Sequence, residues 1–419
     1  MNETEASTAL ITNDAIVLGL LAGILSLIFI TQRSEHPYFR KFYTYVPSLL
    51  LCYFIPSIFN SLNIIDGEAS NLYYVASRYL LPASLVLLTL SIDLKGVIQL
   101  GPKALIMFLA GTVGIVIGGP LAILIVSGFA PDLVGGAGPD AVWRGLATVA
   151  GSWIGGGANQ AAMLEIFGAS PDLFAAMVTV DVIIASIWLA FLLYGAGIAP
   201  KIDRIFKGDT SAIEDLRKKV ENYRLSIAKM PELSDTMAII GVGFGMTAIA
   251  HLGSDTITPW IVERYPYLDR FSLTSPFFWL ISIATALGLG LSFTRVRTLE
   301  GVGASRIGSL LLYVLVATIG MRMDILAIFQ SPGYFLIGFI WMLCHVIILL
   351  TVAKIIRAPF FFVAVGSQAN VGGAASAPIV ASAFNPALAP VGVLLAVVGY
   401  ALGTYAAWFC GILMSIVAS

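Results

Sequence analysis

The stretch Gly151–Met163, GSWIGGGANQAAM, sits inside an otherwise apolar run and holds four glycines, an asparagine and a glutamine in thirteen residues. A helix facing lipid has no use for so open and polar a backbone, because unsatisfied amides and carbonyls are costly in hydrocarbon. The fold must therefore bury this stretch in protein or line a watery space with it.

The rest of the chain places that demand in a membrane. Of 419 residues, 58% are hydrophobic and 11% charged, with a formal net charge of −1 and a mean hydropathy of +0.92. These values belong to a polytopic, all-α integral membrane protein. The near-zero charge gives no sign of nucleic acid or of acidic partners. Cys52, Cys344 and Cys410 all lie in apolar segments without a CxxC pair, so they read as packed free thiols. No basic segment precedes the first apolar run, and the first spanning helix is expected to direct insertion.

Apolar runs of spanning length occur near 14–31, 46–65, 73–92, 104–128, 143–167, 173–199, 274–293, 307–321, 332–356, 360–384 and 387–415, with a shorter, glycine-rich and ambiguous one at 234–252. Arg33, Arg40, Lys41, Lys95, Lys103, Arg295, Arg297, Arg306, Lys354 and Arg357 mark cytoplasmic loops by the positive-inside rule. The acidic loops at 66–70 and 131–140 then fall outside, which predicts an external N-terminus and an internal C-terminus. The basic, amphipathic linker 201–232 conflicts with that scheme, since alternation puts it outside.

The chain also repeats itself. Thr89–Pro102 (TLSIDLKGVIQLGP) matches Thr318–Pro332 (TIGMRMDILAIFQSP) with one inserted residue. GSWIGGGAN begins at Gly151 and GSQANVGGAAS at Gly366, while the next proline landmarks are Pro171 and Pro386; 366 − 151 and 386 − 171 both equal 215. The expected organisation is a first copy over 1–200 with a break near 151–160, a polar linker over 201–233, and a second copy over 234–419 with a break near 366–376.

Paired, glycine-interrupted apolar segments in two halves are the pattern of secondary transporters, where helix ends and freed carbonyls bind ions and substrate near the midplane. The amides Asn159, Gln160, Gln368 and Asn370 suit a hard monovalent cation such as sodium. Close helix packing accounts for some of the glycines, but not for amides in both copies.

The runs WIGGGANQAAM, GASPDLFAAMVTVD, GSQANVGGAAS and NPALAPVGVLLAVVGYALGTYAAW resemble the bile acid:sodium symporter family and its clan of cation:proton antiporter-like transporters. More closely, the whole chain resembles the YjcL-like uncharacterised bacterial membrane proteins. The symporter resemblance implies an inverted-repeat fold with two crossing discontinuous helices, a core and a panel domain, and sodium sites beside the crossover. It places cation ligands at Asn159, Gln160, Thr179 and Gln368. An acidic residue of the family pattern is Ala364 here, which puts one sodium site in doubt. Asp181, an intramembrane carboxylate, is the candidate replacement, as cation ligand or proton carrier.

Around these, Ser152, Gly157, Glu165, Ser367 and Gly372 are the candidate substrate-binding positions, while Asp93, Lys95, Arg322 and Asp324 occupy the repeated helix ends as interfacial groups. No cofactor is expected beyond sodium as coupling ion. The reading is a multi-pass protein of the inner (plasma) membrane that moves a small organic anion or zwitterion, with the bilayer and a second copy of itself as partners. Proton-coupled transport or cation/proton antiport through Asp181 is the alternative. An intramembrane enzyme is disfavoured because His36, His251 and His345 are scattered without a recognisable dyad or metal motif, and a channel because no filter-like loop occurs.

Overall fold

The computed structural model describes residues 9–46, 48–206, 231–323, 332–385 and 388–418. Among them the regular structure is helical, apart from one isolated bridge between Ile11 and Ile65. Among the described residues seven helices are long and apolar enough to cross a membrane: α1 (Asp14–Gln32), α3 (Leu72–Leu90), α4 (Pro102–Ser127), α7 (Pro171–Gly197), α8 (Leu233–Arg264), α11 (Gly333–Ile356) and α14 (Ala389–Val417). The shorter helices α2 (Ser48–Ser61), α9 (Pro276–Ser292) and α10 (Ala304–Gly320) fill the intervening positions. Local chemistry sets the starts: Ser170 and Ser275 each accept a backbone N–H ahead of a proline in the first turn of α7 and α9. The ambiguous run 234–252 lies within α8, a helix of 32 residues begun by a capping box of Glu232 and Asp235.

The two glycine-rich segments do not continue across. α5 (Val142–Gly155) and α6 (Gly157–Phe167) meet at Gly156, whose φ of 76° and ψ of −174° are open only to glycine. The chain reverses there. Gly151 packs against the backbone of Asn159 and Gln160. At the other end of the pair, the rings of Trp143 and Phe167 lie 5.5 Å apart, and Arg144 donates to the Phe167 carbonyl. α12 (Phe360–Val371) and α13 (Gly373–Phe384) reverse in the same way at Gly372 and Gly373, the latter at φ 57°. Phe384, at the end of α13, is 5.3 Å from Phe361, at the start of α12. Both interruptions are thus helical hairpins whose arms begin and end together. This corrects the expectation of two discontinuous helices that run through and cross. One glycine with positive φ does more than release carbonyls, because it lets the axis turn back.

Both hairpins converge on α14. A Cβ at Gly399 would stand 2.6 Å from the Ile154 carbonyl oxygen of the first hairpin and 3.8 Å from that of Ala369 in the second. At Gly403 a Cβ would meet the Gly155 Cα at 2.5 Å. Small residues let backbones approach this closely where no hydrophobic effect drives helices together. On the far side, α4 and α11 lock through the Trp341 indole, which donates to the Ile115 carbonyl at 2.8 Å.

Two outcomes follow from this geometry. Cysteines at Asp132 and Asp172, which flank the first hairpin, are expected to react with an impermeant maleimide from the same side of the membrane; reaction from opposite sides would show a through-running helix. Gly399→Leu is expected to lower the melting temperature in detergent by the cost of overpacking, about 1–3 kcal/mol or more, whereas Gly241→Leu, with nothing within 4 Å of its Cβ position, is expected to leave it unchanged.

Candidate functional site

Each hairpin is held by one asparagine whose hydrogen-bonding capacity is filled. Asn159 donates to the carbonyls of Gly155 and Tyr400, both at 3.0 Å, and accepts from Thr404 at 2.6 Å. Asn370 donates to Phe108 and Gly366, at 2.9 and 3.0 Å, and accepts from Thr112 at 2.8 Å. Asn159 pairs the Gly155 carbonyl at the end of α5, and through the Tyr400 and Phe108 carbonyls the two side chains clamp the first hairpin to α14 and the second to α4. Both are fully buried.

Asp181, on α7, faces the first hairpin and is 5% exposed. Its Oδ1 accepts from the Trp153 indole at 2.7 Å and its Oδ2 from the Gln160 amide at 3.1 Å, and Ser152 lies close to it. Among the described residues no lysine or arginine lies within ion-pair distance of it. The buried Tyr53 hydroxyl, unpartnered, is within electrostatic reach. Thr179 stands apart from this set, since its hydroxyl donates to Ala175, four residues back on its own helix.

In the second hairpin, Gln368 donates to Ser376 at 2.6 Å across the turn, with Gly372 packed against both side chains. The Gln368 Oε1 is buried without a partner, although buried polar atoms are rarely left so. Ser367 accepts from the Trp188 indole at 2.8 Å and sits 2.8 Å from His345 Nε2, while His345 Nδ1 lies 3.0 Å from the Gly111 carbonyl. The carbonyl contact fixes Nδ1 as donor, so Nε2 accepts the serine proton. Ala364 is buried beside this chain of contacts. Gly157 lies at the turn of the first hairpin with only Leu312 near it.

Glu165, on the second arm of the first hairpin, is paired with Arg78 at 2.6 Å and accepts from the Tyr73 hydroxyl. It borders a cavity of about 500 Å³. Asp93 is paired with Arg297 at 2.9 Å and Arg322 with Glu68 at 3.3 Å, as interfacial groups would be; Asp324 lies outside the described residues.

This arrangement can be set against known sequences. A family profile described as "Protein of unknown function (DUF819)" matches residues 19–417. The chain belongs to the DUF819 family. It is also 25% identical over 366 residues to the uncharacterized membrane protein YjcL of Bacillus subtilis (strain 168), across 84% of this chain and 86% of that one. The resemblance to YjcL-like proteins read from the sequence holds on this match.

Within this DUF819 chain the structure gathers Ser152, Gln160 and Asp181 into one cluster and leaves Asn159, Asn370 and Thr179 in structural hydrogen bonds. Sequence reasoning passed over Trp153, His345 and Trp188, whose partners are 22 to 179 residues away. It also passed over Arg78, for which a signal existed, since an arginine inside a spanning helix is rare without a partner.

Asn370→Ala is expected to destabilise the protein by about 2–4 kcal/mol, because several buried groups lose their partner together; Thr112→Val, which removes only the donor to Asn370, is expected to cost less. Thermal unfolding in detergent reads both.

Proposed function

We propose that this chain is an ion-coupled secondary transporter of a small organic anion or zwitterion. The carrying observation is Asp181, a buried carboxylate held against a glycine-turned hairpin by neutral donors alone. A carboxylate in such a place is costly unless a cation joins it for part of the cycle.

The topology we infer has ten crossings (α1, α2, α3, α4, α7, α8, α9, α10, α11 and α14) and two re-entrant hairpins. Five crossings separate the hairpins, so they enter from opposite faces, as an inverted repeat of five crossings and one hairpin requires. With the N-terminus outside, Arg33, Arg40, Lys41, Lys95, Arg295, Arg297, Lys354 and Arg357 all fall inside, and so does the basic linker. The conflict met in the sequence came from treating the first interrupted segment as a crossing. The same count puts the C-terminus outside, the reverse of the sequence expectation. A core of the hairpins with α4, α7, α11 and α14 would then move against a panel of the remaining helices.

Sodium is the coupling cation in the first reading. Supporting it are the unpartnered Gln368 Oε1 and the carbonyls of Ile154 and Ala369, which both lie close to Gly399; oxygen ligands at helix C-terminal ends suit this ion. A second reading, proton coupling at Asp181, is favoured by Trp153, whose indole N–H can donate but cannot ligate a cation.

Thermal stability in sodium, potassium and choline chloride at several pH values separates these readings, because an ion that binds only the folded protein must stabilise it. Sodium-selective stabilisation that Gln368→Ala removes is expected on the first reading. A pH response that Asp181→Asn removes, with no sodium effect, marks the second. If neither ion alters stability, the proposed coupling site is wrong.

A further inference from the structure

The cavity at the open end of the first hairpin is lined by Tyr73, Asp140, Glu165, Ser170, Ile319 and Arg322, among others, and has a volume of about 500 Å³. Glu165 forms one wall, with its side chain 11% exposed, and separates the cavity from Arg78. Arg78 is set in a single π-helical turn, Ala76–Leu80, that interrupts α3. Such turns re-aim side chains and gather at functional sites. The guanidinium lies 4.6 Å over the Phe277 ring and is braced by the Ser77 hydroxyl at 3.2 Å. His251 meets the Arg78 carbonyl at 2.9 Å, which holds the distorted turn in place.

The cluster has more donors than its one carboxylate can use. Arg78 spends Nη1 on Glu165 and Ser77, while its Nε and Nη2 have no hydrogen-bond partner among the described residues. Arg322, stacked 4.5 Å over the Tyr73 ring, is within electrostatic reach of Glu165 but is bonded instead to the exposed Glu68. Two guanidiniums and a phenol surround Glu165, while the cavity's other carboxylate, Asp140, is bonded to Ser170; the three form a receptor for a planar anion, because the arginine fork matches a carboxylate with two parallel bonds.

We propose that this cavity is a carboxylate-recognition site and that Glu165 occupies it as an internal stand-in for the carboxylate of a small organic-anion substrate. The inference rests on the transport reading and narrows its substrate to carboxylate-bearing anions. An arriving carboxylate meets Arg322 and the Tyr73 hydroxyl in the cavity, then replaces Glu165 on Arg78. Because Glu165 belongs to the hairpin and Arg78 to α3, this exchange uncouples the two, so substrate occupancy and hairpin movement are linked through one ion pair.

The test uses purified full-length protein in choline salts, so that failure of sodium coupling cannot affect it. Acetate and succinate are titrated against chloride at matched ionic strength, with ethylammonium as the cationic control, and thermal stability is read. Glu165→Ala removes the internal competitor, so both carboxylates are expected to stabilise it at concentrations about tenfold lower than they do the wild type; ethylammonium should have no effect. Adding Arg78→Ala to that variant should abolish the response. If Glu165→Ala does not fold without ligand, its recovery in acetate supports the site, and Glu165→Gln, which keeps the shape, carries the titration. A folded Glu165→Ala or Glu165→Gln that ignores both carboxylates overturns the proposal and leaves the ion pair structural. A response that survives Arg78→Ala also overturns it, since the anion then binds elsewhere.

Discussion

A backbone amide or carbonyl in hydrocarbon must find a partner within the protein, and each of the two glycine turns of this chain is bonded to a neighbouring helix by a buried asparagine. Helix ends expose several unpaired groups each, and four such ends lie between Gly155 and Gly157 and between Val371 and Gly373. Asn159 answers one of them directly, at the Gly155 carbonyl, and otherwise it and Asn370 tie the turns to carbonyls within helices. Each uses both amide hydrogens on carbonyls and its oxygen on a threonine hydroxyl from a neighbouring helix. Two of the amides that the sequence offers as ion ligands, Asn159 and Asn370, are therefore spent on fastening the hairpins to α14 and α4. Two acceptors outside those bonds stay open to an ion: Gln368 Oε1, buried without a partner, and the Asp181 carboxylate, held by neutral donors.

Much of the fold is legible from hydropathy and repetition. The positions of the long helices follow from apolar run length, and the two copies from the 215-residue spacing of their landmarks. The direction of the interrupted segments was not legible. A run of 25 apolar residues with a glycine in the middle has the same composition whether it continues or turns back, and the difference lies in the φ of Gly156 and Gly373. The sequence nevertheless carried a trace of the turn. The basic linker at 201–232 conflicts with the charge rule when the first segment is counted as a crossing, and counting that segment as a hairpin removes the conflict.

The candidate site was legible by kind and not by arrangement. An aspartate in VTVDVIIASIWLA announces itself by the cost of burying it. That Trp153 and Gln160 would hold it required the hairpin, which brings residues of two short arms to one face of α7. His345 and Ser367 likewise form a hydrogen-bonded pair that no local motif encodes. Both are fully buried and wedged between α4, α7 and α11, which suits a role in holding the second hairpin better than one in attacking a substrate.

The two carboxylates on and beside the first hairpin divide the electrostatic work. Glu165 has a full counter-charge in Arg78 and so asks for no ion of its own; what it offers is exchange, since another carboxylate can take its place on Arg78 while Arg322, within electrostatic reach, answers the released Glu165. Asp181 has donors but no counter-charge, so the group that completes it must be a cation. On the transport reading, the hairpin then carries one position where an anion is interchangeable and another where a cation is missing. Filling both adds one positive and one negative charge, so the net charge of the region is the same loaded as empty, whereas either ion alone would shift it. A hairpin that must pass through a low-dielectric environment moves most easily without that shift, which gives a physical reason for the two occupancies to be coupled.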